Sequence, residues 1–367
     1  MTDRKERIPW FESEFGEGER ESVLAVLDSN FVNDGEVTQA FESRVASFVG
    51  AKHGLAVSNG TSAIALALMG LGVGPGDEVI VPDFTFIATA NAVRLAGADV
   101  TLVDIEPHRF TIDMERLDDA VGTKTRAVVA VDINGRSANY EELVPFCHEK
   151  GLALVCDAAG SLGSKHGGQY LGTFGDAGCY SFSSPKAISS GQGGMIVTGD
   201  TNLFLRLRQL KDQGRQERGS GGDDEHPAIG FNFKYTNLQA AIAMAQMDRL
   251  EARLAHFNER NLWYHKFFDG CEGLIFPGLP SRNGEVLLWR DALIEDREKV
   301  EKIFQAQGIG FRNFWRPLHQ QAPYREEDTD FPHAIEVAGK GLWLPSSFHI
   351  AEGEVKEIAE YVGLALS

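Results

Sequence analysis

Lys186 ends the segment Ser181-Phe182-Ser183-Ser184-Pro185-Lys186, directly after the apolar run Ala177-Gly178-Cys179-Tyr180. A lysine beside a Ser- and Gly-rich turn is ordinarily a solvated surface group. The preceding run reads as a strand, however, which would hold this amine at a partly buried rim. Burial favours the neutral, nucleophilic amine. Asp157 closes a second apolar run, Leu152-Ala153-Leu154-Val155-Cys156. It could cap the next helix, or pair with a heteroaromatic nitrogen and keep it protonated. Asn59-Gly60-Thr61-Ser62 opens a helical stretch, where free N–H groups, the helix dipole and two hydroxyls suit a phosphate. An amine that can form a Schiff base, an acid for a ring nitrogen and a turn for a phosphate are three grips on pyridoxal phosphate. Ser181 could reach the same phosphate from the lysine side. Of Phe84 and Phe86, Phe86 is the expected cover for a flat ring, and core packing is the other use of such a pair. Gly191-Gln192-Gly193-Gly194 lacks the strand–GxGxxG–helix setting of a dinucleotide site and reads as a turn near the lysine.

These residues need a scaffold that brings strand ends together. Asp77–Pro82, Val100–Asp104, Ala127–Asp132, Leu152–Asp157 and Ala177–Phe182 read as strands. Helical patterns over Ser62–Leu71, Thr85–Leu95 and Tyr140–Lys150 separate them. Such alternation predicts an α/β fold, a mostly parallel sheet between helices with ligands at the carboxyl ends of its strands. A long helix is expected from Thr236 to about Asn258, after an exposed flexible loop at Arg215–Pro227. Residues 1–250 are read as the large domain and 251–367 as a smaller C-terminal α/β domain, the first ~30 residues packing with the latter. In the smaller domain Val286–Trp289 and Gly310–Arg312 read as strands, and Arg297–Gln307 and Gly353–Leu366 as helices.

The chain has 367 residues, ample for two such units, and a net charge of −18, which argues against nucleic acid or an anionic membrane surface as partner. Its four cysteines form no CxxC pair, so no metal site is expected, and their scarcity fits a reducing cytosol. No run nears the roughly 20 apolar residues of a membrane span. A cytoplasmic enzyme is the expectation.

The ordered segments Ser58–Ala63, Gly74–Pro82, Phe84–Thr89, Asp157-Ala158-Ala159, Gly172–Asp176, Gly193-Gly194-Met195, Gly230–Phe233, Thr236–Ala241 and Leu344-Pro345 resemble the DegT/DnrJ/EryC1/StrS sugar aminotransferases. These are pyridoxal-phosphate enzymes of fold type I, and the likeness spans nearly the whole chain. It implies a homodimer with a shared active site, Lys186 as the Schiff-base lysine, Asp157 as the pyridine partner and Phe86 as the stacking ring. It further implies Gly60, Thr61, Ser62 and Ser181 at the phosphate, with Asn232 reaching over from the neighbouring subunit. L-glutamate would be the amino donor and a keto- or aldehydo-sugar the acceptor. The sugar dehydratase branch, with histidine for the lysine, is disfavoured by Lys186. A non-catalytic, cofactor-binding regulator is the rival of another class, and the Lys186–Asp157 pair and the lack of a basic patch weigh against it.

Three segments depart from the family pattern. Gly160 follows Asp157-Ala158-Ala159 where Gln or His is usual; Asp132-Ile133-Asn134-Gly135-Arg136 replaces a His-x-Tyr-Gly segment; Asn30-Phe31-Val32-Asn33-Asp34-Gly35 lacks the usual Trp. Asp132, Asn134, Arg136 and Asn33 are therefore substrate candidates, with Arg136 either a bidentate clamp for a carboxylate or a surface arginine. The favoured acceptor is an oxidised 3-deoxy-octulosonate, aminated at its 8-aldehyde for lipopolysaccharide or another surface polysaccharide. The alternative is a nucleotide-linked 4-keto-6-deoxy sugar of the perosamine type. Arg312, Trp315, Arg316, His319 and His349 are further candidates for the acceptor site, structural roles being the other use.

Overall fold

The computed structural model describes residues 6–216, 225–278 and 284–366. Seven strands build the large sheet: β1 (His53–Val57), β2 (Glu78–Pro82), β3 (Asp99–Val103), β4 (Thr125–Val131), β5 (Ala153–Asp157), β6 (Ala177–Ser181) and β7 (Gly194–Thr198). Their order is β1-β7-β6-β5-β4-β2-β3. The strands β3, β2, β4, β5 and β6 run parallel, and β7 lies antiparallel between β6 and β1. The mostly parallel α/β sheet is thus present, and β1 and β7 add two strands beyond those expected.

Strand parity builds two cores from one sheet. Val79, Val81, Val129 and Val155 face one buried cluster, whereas Ile80, Val128, Ala130, Leu154 and Cys156 face the other. Successive strand side chains point to opposite faces, and helices cover both. The same parity decides where the residues at the strand ends look. Asp157 shares the side of Val155, and Asp132 that of Ala130.

A second, antiparallel sheet follows: β8 (Leu274–Ile275), β9 (Arg290–Ile294), β10 (Arg312–Asn313) and β11 (Gly341–Leu344), in the order β8-β9-β11-β10. Helices Arg297–Gln307 and Glu352–Leu366 pack with it around a third core that includes Ile294, Phe304, Leu342 and Ile358.

The single helix expected over Thr236–Asn258 is two helices, Asn237–Met247 and Leu250–Phe267. The chain changes partner at the break: the first packs on helix Glu17–Asp28 and the second on Glu352–Leu366. Helix Ala88–Ala96 starts later than expected, because Phe84–Ile87 cross the rim as a turn. Val286–Trp289 are buried but irregular, and the strand begins at Arg290. Of the loop expected at Arg215–Pro227, residues 217–224 lie outside the described residues.

Candidate active site

One cavity of about 360 Å³ opens at the carboxyl ends of the large sheet. Gly60, Thr61, Phe86, Asp132, Asn134, Asp157, Ser181 and Lys186 line it, with Thr89 among further residues from the same rim and Trp289, Arg312 and Trp315 from the second unit.

Helix Gly60–Gly70 begins at the cavity. Its N-cap Asn59 is extended (φ −169°) and accepts from the Ser62 N–H at 2.9 Å. The Ser62 hydroxyl also turns to Asn59 Oδ1, at 2.9 Å, and Ser62 is buried outside the lining. Asn59 and Ser62 therefore satisfy each other, while Gly60 and Thr61 face the opening. A Cβ on Gly60 would stand 3.0 Å from Ser181 Cβ, so a side chain there would crowd the point where the two segments meet.

Asp157 ends β5 with its carboxylate held from two directions. Thr89 Oγ1 donates to Oδ2 at 2.7 Å, and the Ala159 N–H to Oδ1 at 3.2 Å. Burial raises its pKa, against the pull of Thr89, Ala159 and the Lys186 charge. Burial likewise brings the Lys186 amine down to about 8, with Asp157 opposing and Arg312 adding to the shift. Lys186 Nζ lies 5.2 Å from the centre of the Trp289 ring. Phe86 is 49% exposed and leans on Trp315, ring centres 5.9 Å apart, which leaves a flat apolar face toward the opening.

Asp132 borders the same cavity, but its side chain turns to the other face of the sheet, as parity requires. Oδ1 accepts from the Tyr140 hydroxyl at 2.8 Å and the Ala138 N–H at 3.3 Å, and burial pushes its pKa up to about 8. Asn134 adopts a left-handed backbone (φ 52°). Its amide fastens to one short stretch of the second unit: Nδ2 donates to Asp291 and to the Trp289 carbonyl at 2.9 Å, and Oδ1 accepts from the Trp289 N–H at 2.8 Å. Gly135 follows at φ 91°, and a Cβ there would lie 2.1 Å from the Val286 carbonyl oxygen.

Arg136 is neither a surface group nor a lining residue. It is 1% exposed, ion-paired with Asp291, and donates to the Pro277 carbonyl at 2.9 Å. An arginine sealed in this way cannot reach for a substrate carboxylate, which corrects the clamp expected from its place after β4. His319 is also fully buried. Its Nδ1 and its backbone N–H each meet the Asp83 carboxylate at 2.7 Å, and its ring stacks on Phe331. It ties its segment to the end of β2 rather than facing the cavity. Asn33, Asn232, Arg316 and His349 are exposed and outside the lining, Asn232 forming a bridge with Asp212.

Thr89 and Trp289 were not singled out from sequence. Thr85 and Thr89, four residues apart after Pro82-Asp83, were the available signal for the first; their hydroxyls are 3.0 Å apart. Trp289 gave none, because a buried tryptophan in an apolar run reads as core.

The residues fit pyridoxal phosphate. A helix N-terminus with a bare Gly60, a buried carboxylate, a flat aromatic face and an amine with its pKa drawn down converge on one cavity. Among the described residues no cluster of side chains suits a metal ion, and no helix is long and apolar enough to cross a membrane.

Known proteins bear on this geometry. GDP-perosamine synthase of Caulobacter vibrioides is 33% identical over 93% of each chain. The UDP-2-acetamido-2-deoxy-3-oxo-D-glucuronate aminotransferase of Pseudomonas aeruginosa is 31% identical over 88% of this chain and 89% of its own. The crystal structure of the aminotransferase TlmJ from Streptoalloteichus hindustanus superposes with a TM-score of 0.91 at 27% identity, covering 98% of both chains. Residues 13–363 match the DegT/DnrJ/EryC1/StrS aminotransferase family, and the chain belongs to that family as an aminotransferase.

Proposed function

We propose that this aminotransferase binds pyridoxal phosphate, takes the amino group of L-glutamate and hands it to the carbonyl carbon of a nucleotide-linked keto-sugar. The observation that carries the reading is the convergence of Lys186, Asp157 and the Gly60–Gly70 helix N-terminus on one cavity.

Gly60, Thr61 and Ser181 would hold the phosphate, Phe86 the ring face and Asp157 the ring nitrogen. When bound, the cofactor supplies an electron sink for the pair left as an amino-acid α-carbon loses its proton. Thr89 and the Ala159 N–H hold Asp157 as a carboxylate, so that it keeps a proton on the nitrogen opposite. Lys186, with its pKa drawn to about 8, is neutral in a useful fraction near neutral pH and can take a proton at Nζ and return it. Trp289, against that amine, keeps water from one side of it. In a homodimer, Asn232 of a second copy would add to the phosphate site.

The acceptor follows from what Arg136 does. Its pairing with Asp291 takes the carboxylate clamp away from the case for a carboxylated octulosonate. The names of two relatives, a GDP-perosamine synthase and a UDP-linked 3-oxo-glucuronate aminotransferase, support a nucleotide-linked acceptor, and the first favours the perosamine type.

The test is the absorption spectrum of purified protein supplied with cofactor. A visible band that L-glutamate abolishes is expected, with no such response in Lys186→Ala. Re-formation of the band is then expected with a nucleotide-linked 4-keto-6-deoxy sugar. Re-formation only with the 8-aldehyde of 3-deoxy-octulosonate would return that acceptor. A bound cofactor indifferent to every amino acid would favour a regulator.

A further inference from the structure

Lys186 lies in a stretch without regular structure. Residues 183–189 form neither helix nor strand, and the loop they make is closed at its neck by the Ser190 N–H, which donates to the Phe182 carbonyl at 3.0 Å. A lysine reaches its work through a flexible four-carbon stem. If the backbone at its root also wanders, Nζ has no fixed place from which to take a proton and return it. With neither helix nor strand around that root, the bonds that steady it must come from other parts of the chain.

Bonds of that kind stand on either side of Lys186. The Ser13 hydroxyl donates to the Ser184 carbonyl at 3.0 Å, two residues before the lysine. Arg253 Nη1 donates to the Ala187 carbonyl at 3.1 Å, directly after it. Both holds lead to one place. Glu14, next to Ser13, pairs its carboxylate with Arg253 Nη2 at 3.0 Å, and its carbonyl accepts from the same nitrogen at 3.2 Å. Arg253 is 5% exposed on helix Leu250–Phe267, its guanidinium 4.3 Å from the centre of the Phe348 ring. One arm of the fork thus grips Glu14 and the other the lysine loop. A planar guanidinium can span the two, whereas an ammonium is a single point. The segment that carries Ser13 and Glu14 is itself tied to the second unit: Ile8 bridges Ile309, and the Trp10 carbonyl accepts from the Ser346 N–H at 2.6 Å.

We infer that Arg253, held by Glu14, is a positioning residue for Lys186, with Ser13 completing the clamp from the other side of the lysine. The inference rests on the reading of Lys186 as the proton carrier. Arg253 is outside the cavity lining, so it acts through the backbone beside the lysine and not on a ligand. Its loss should cost rate and spare binding. A misplacement of about 1 Å at a reacting group can lower a rate about 10²-fold.

The first readout is amide hydrogen exchange of the cofactor-free, full-length protein. In Arg253→Met, residues 183–189 are expected to exchange at least about 10-fold faster by local opening, with β5 and β6 as in wild type. The second follows loss of the visible band with L-glutamate in single turnovers of loaded protein. The maximal rate is expected to fall about 10- to 100-fold, with half-saturation by glutamate within about twofold of wild type. Arg253→Lys should recover part of both effects. Glu14→Gln should add little to Arg253→Met, because it acts through the same arginine. Ser13→Ala keeps the test open where Arg253→Met does not fold: the same residues should exchange about 2- to 10-fold faster, the scale of one neutral hydrogen bond. Local exchange at the wild-type rate overturns the inference. So does a wild-type maximal rate, a loss carried wholly by half-saturation, or faster exchange spread evenly over the sheet. If wild type ignores every amino acid, the proposed function falls, and the exchange of residues 183–189 still decides the clamp.

Discussion

The cavity and the clasp around Asp291 are made of the same side-chain types and treat charge in opposite ways. Asp291 is saturated: Arg136 pairs with it, Asn134 donates to both its oxygens at 2.9 Å, and the Trp343 indole donates at 2.6 Å. Lys211, buried elsewhere, is likewise matched by Asp34 and Glu42. Across the wall, and among the described residues, Asp157 has a hydroxyl and one backbone N–H but no ion pair, Lys186 has none, and Arg312 has two aromatic faces and no acid. Where a buried charge meets an opposite charge, the fold is fastened. Where burial shifts charges without meeting them, they are held for something that arrives.

Removing the central under-paired group should have the largest effect. Lys186→Ala is expected to lower amine transfer by at least about 10³-fold, because nucleophile and proton carrier are lost together. Its unfolding midpoint should stay at or above that of wild type, since an amine held away from its ordinary pKa is a cost to the fold. A large loss of stability in this variant would break the distinction between the two regions.

The mirror experiment is on the clasp. Arg136→Met leaves Asp291 buried with two neutral donors, a change expected to cost about 3–5 kcal/mol in denaturant unfolding. In the fraction that folds, half-saturation by sugar should be near wild type. A selective rise for a carboxylated sugar, with stability intact, would restore Arg136 as a substrate group.

Thr89→Ala tests the one support of Asp157 that comes from a side chain. The hydroxyl favours the carboxylate, so its loss should raise the Asp157 pKa further. The acid limb of the rate–pH profile should then move upward. A charge-assisted bond of about 1.5–3 kcal/mol sets the loss of kcat at roughly 10- to 100-fold. Thr89→Ser, which keeps the hydroxyl, should recover most of it.

What the sequence made legible follows the same division. The strand-end residues Asp157, Lys186 and Gly60 could be read because each ends an apolar run and so declares both its chemistry and its place. Strands β1 and β7 were hidden because Gly191–Gly194 look like a turn until β7 is seen to insert antiparallel beside β6. Arg136 misled because sequence cannot show that a residue some 155 positions later will pair with its guanidinium. Asp132 borders the cavity, but one step of strand parity gives its Oδ1 to Tyr140 on the other face of the sheet. The wall of Trp289, Arg312 and Trp315 was legible only as a set of residue types. Its position depends on how the second sheet meets the first, and that contact leaves no local pattern in the chain.

The subtlest difference between the two regions should appear in stability against pH. In the folded, cofactor-free protein the Lys186 amine titrates near 8, against an ordinary 10.5. Between those values the unfolded chain holds a proton that the folded chain has released. Stability must therefore rise with pH across that window, and the full penalty of the buried charge is present below about 8. Other groups titrate there as well, so the readout is the difference between wild type and Lys186→Met in chemical denaturation from pH 7.5 to 10. Wild type should gain stability relative to the variant as pH rises. Lys211→Met should not show this relative gain, because that lysine is ion-paired with Asp34 and Glu42 rather than left without an acid. Parallel curves for Lys186→Met and wild type would mean that the cavity amine is solvated like any other. The contrast between an under-paired cavity and a saturated clasp would then have to rest on Asp157 and Arg312 alone.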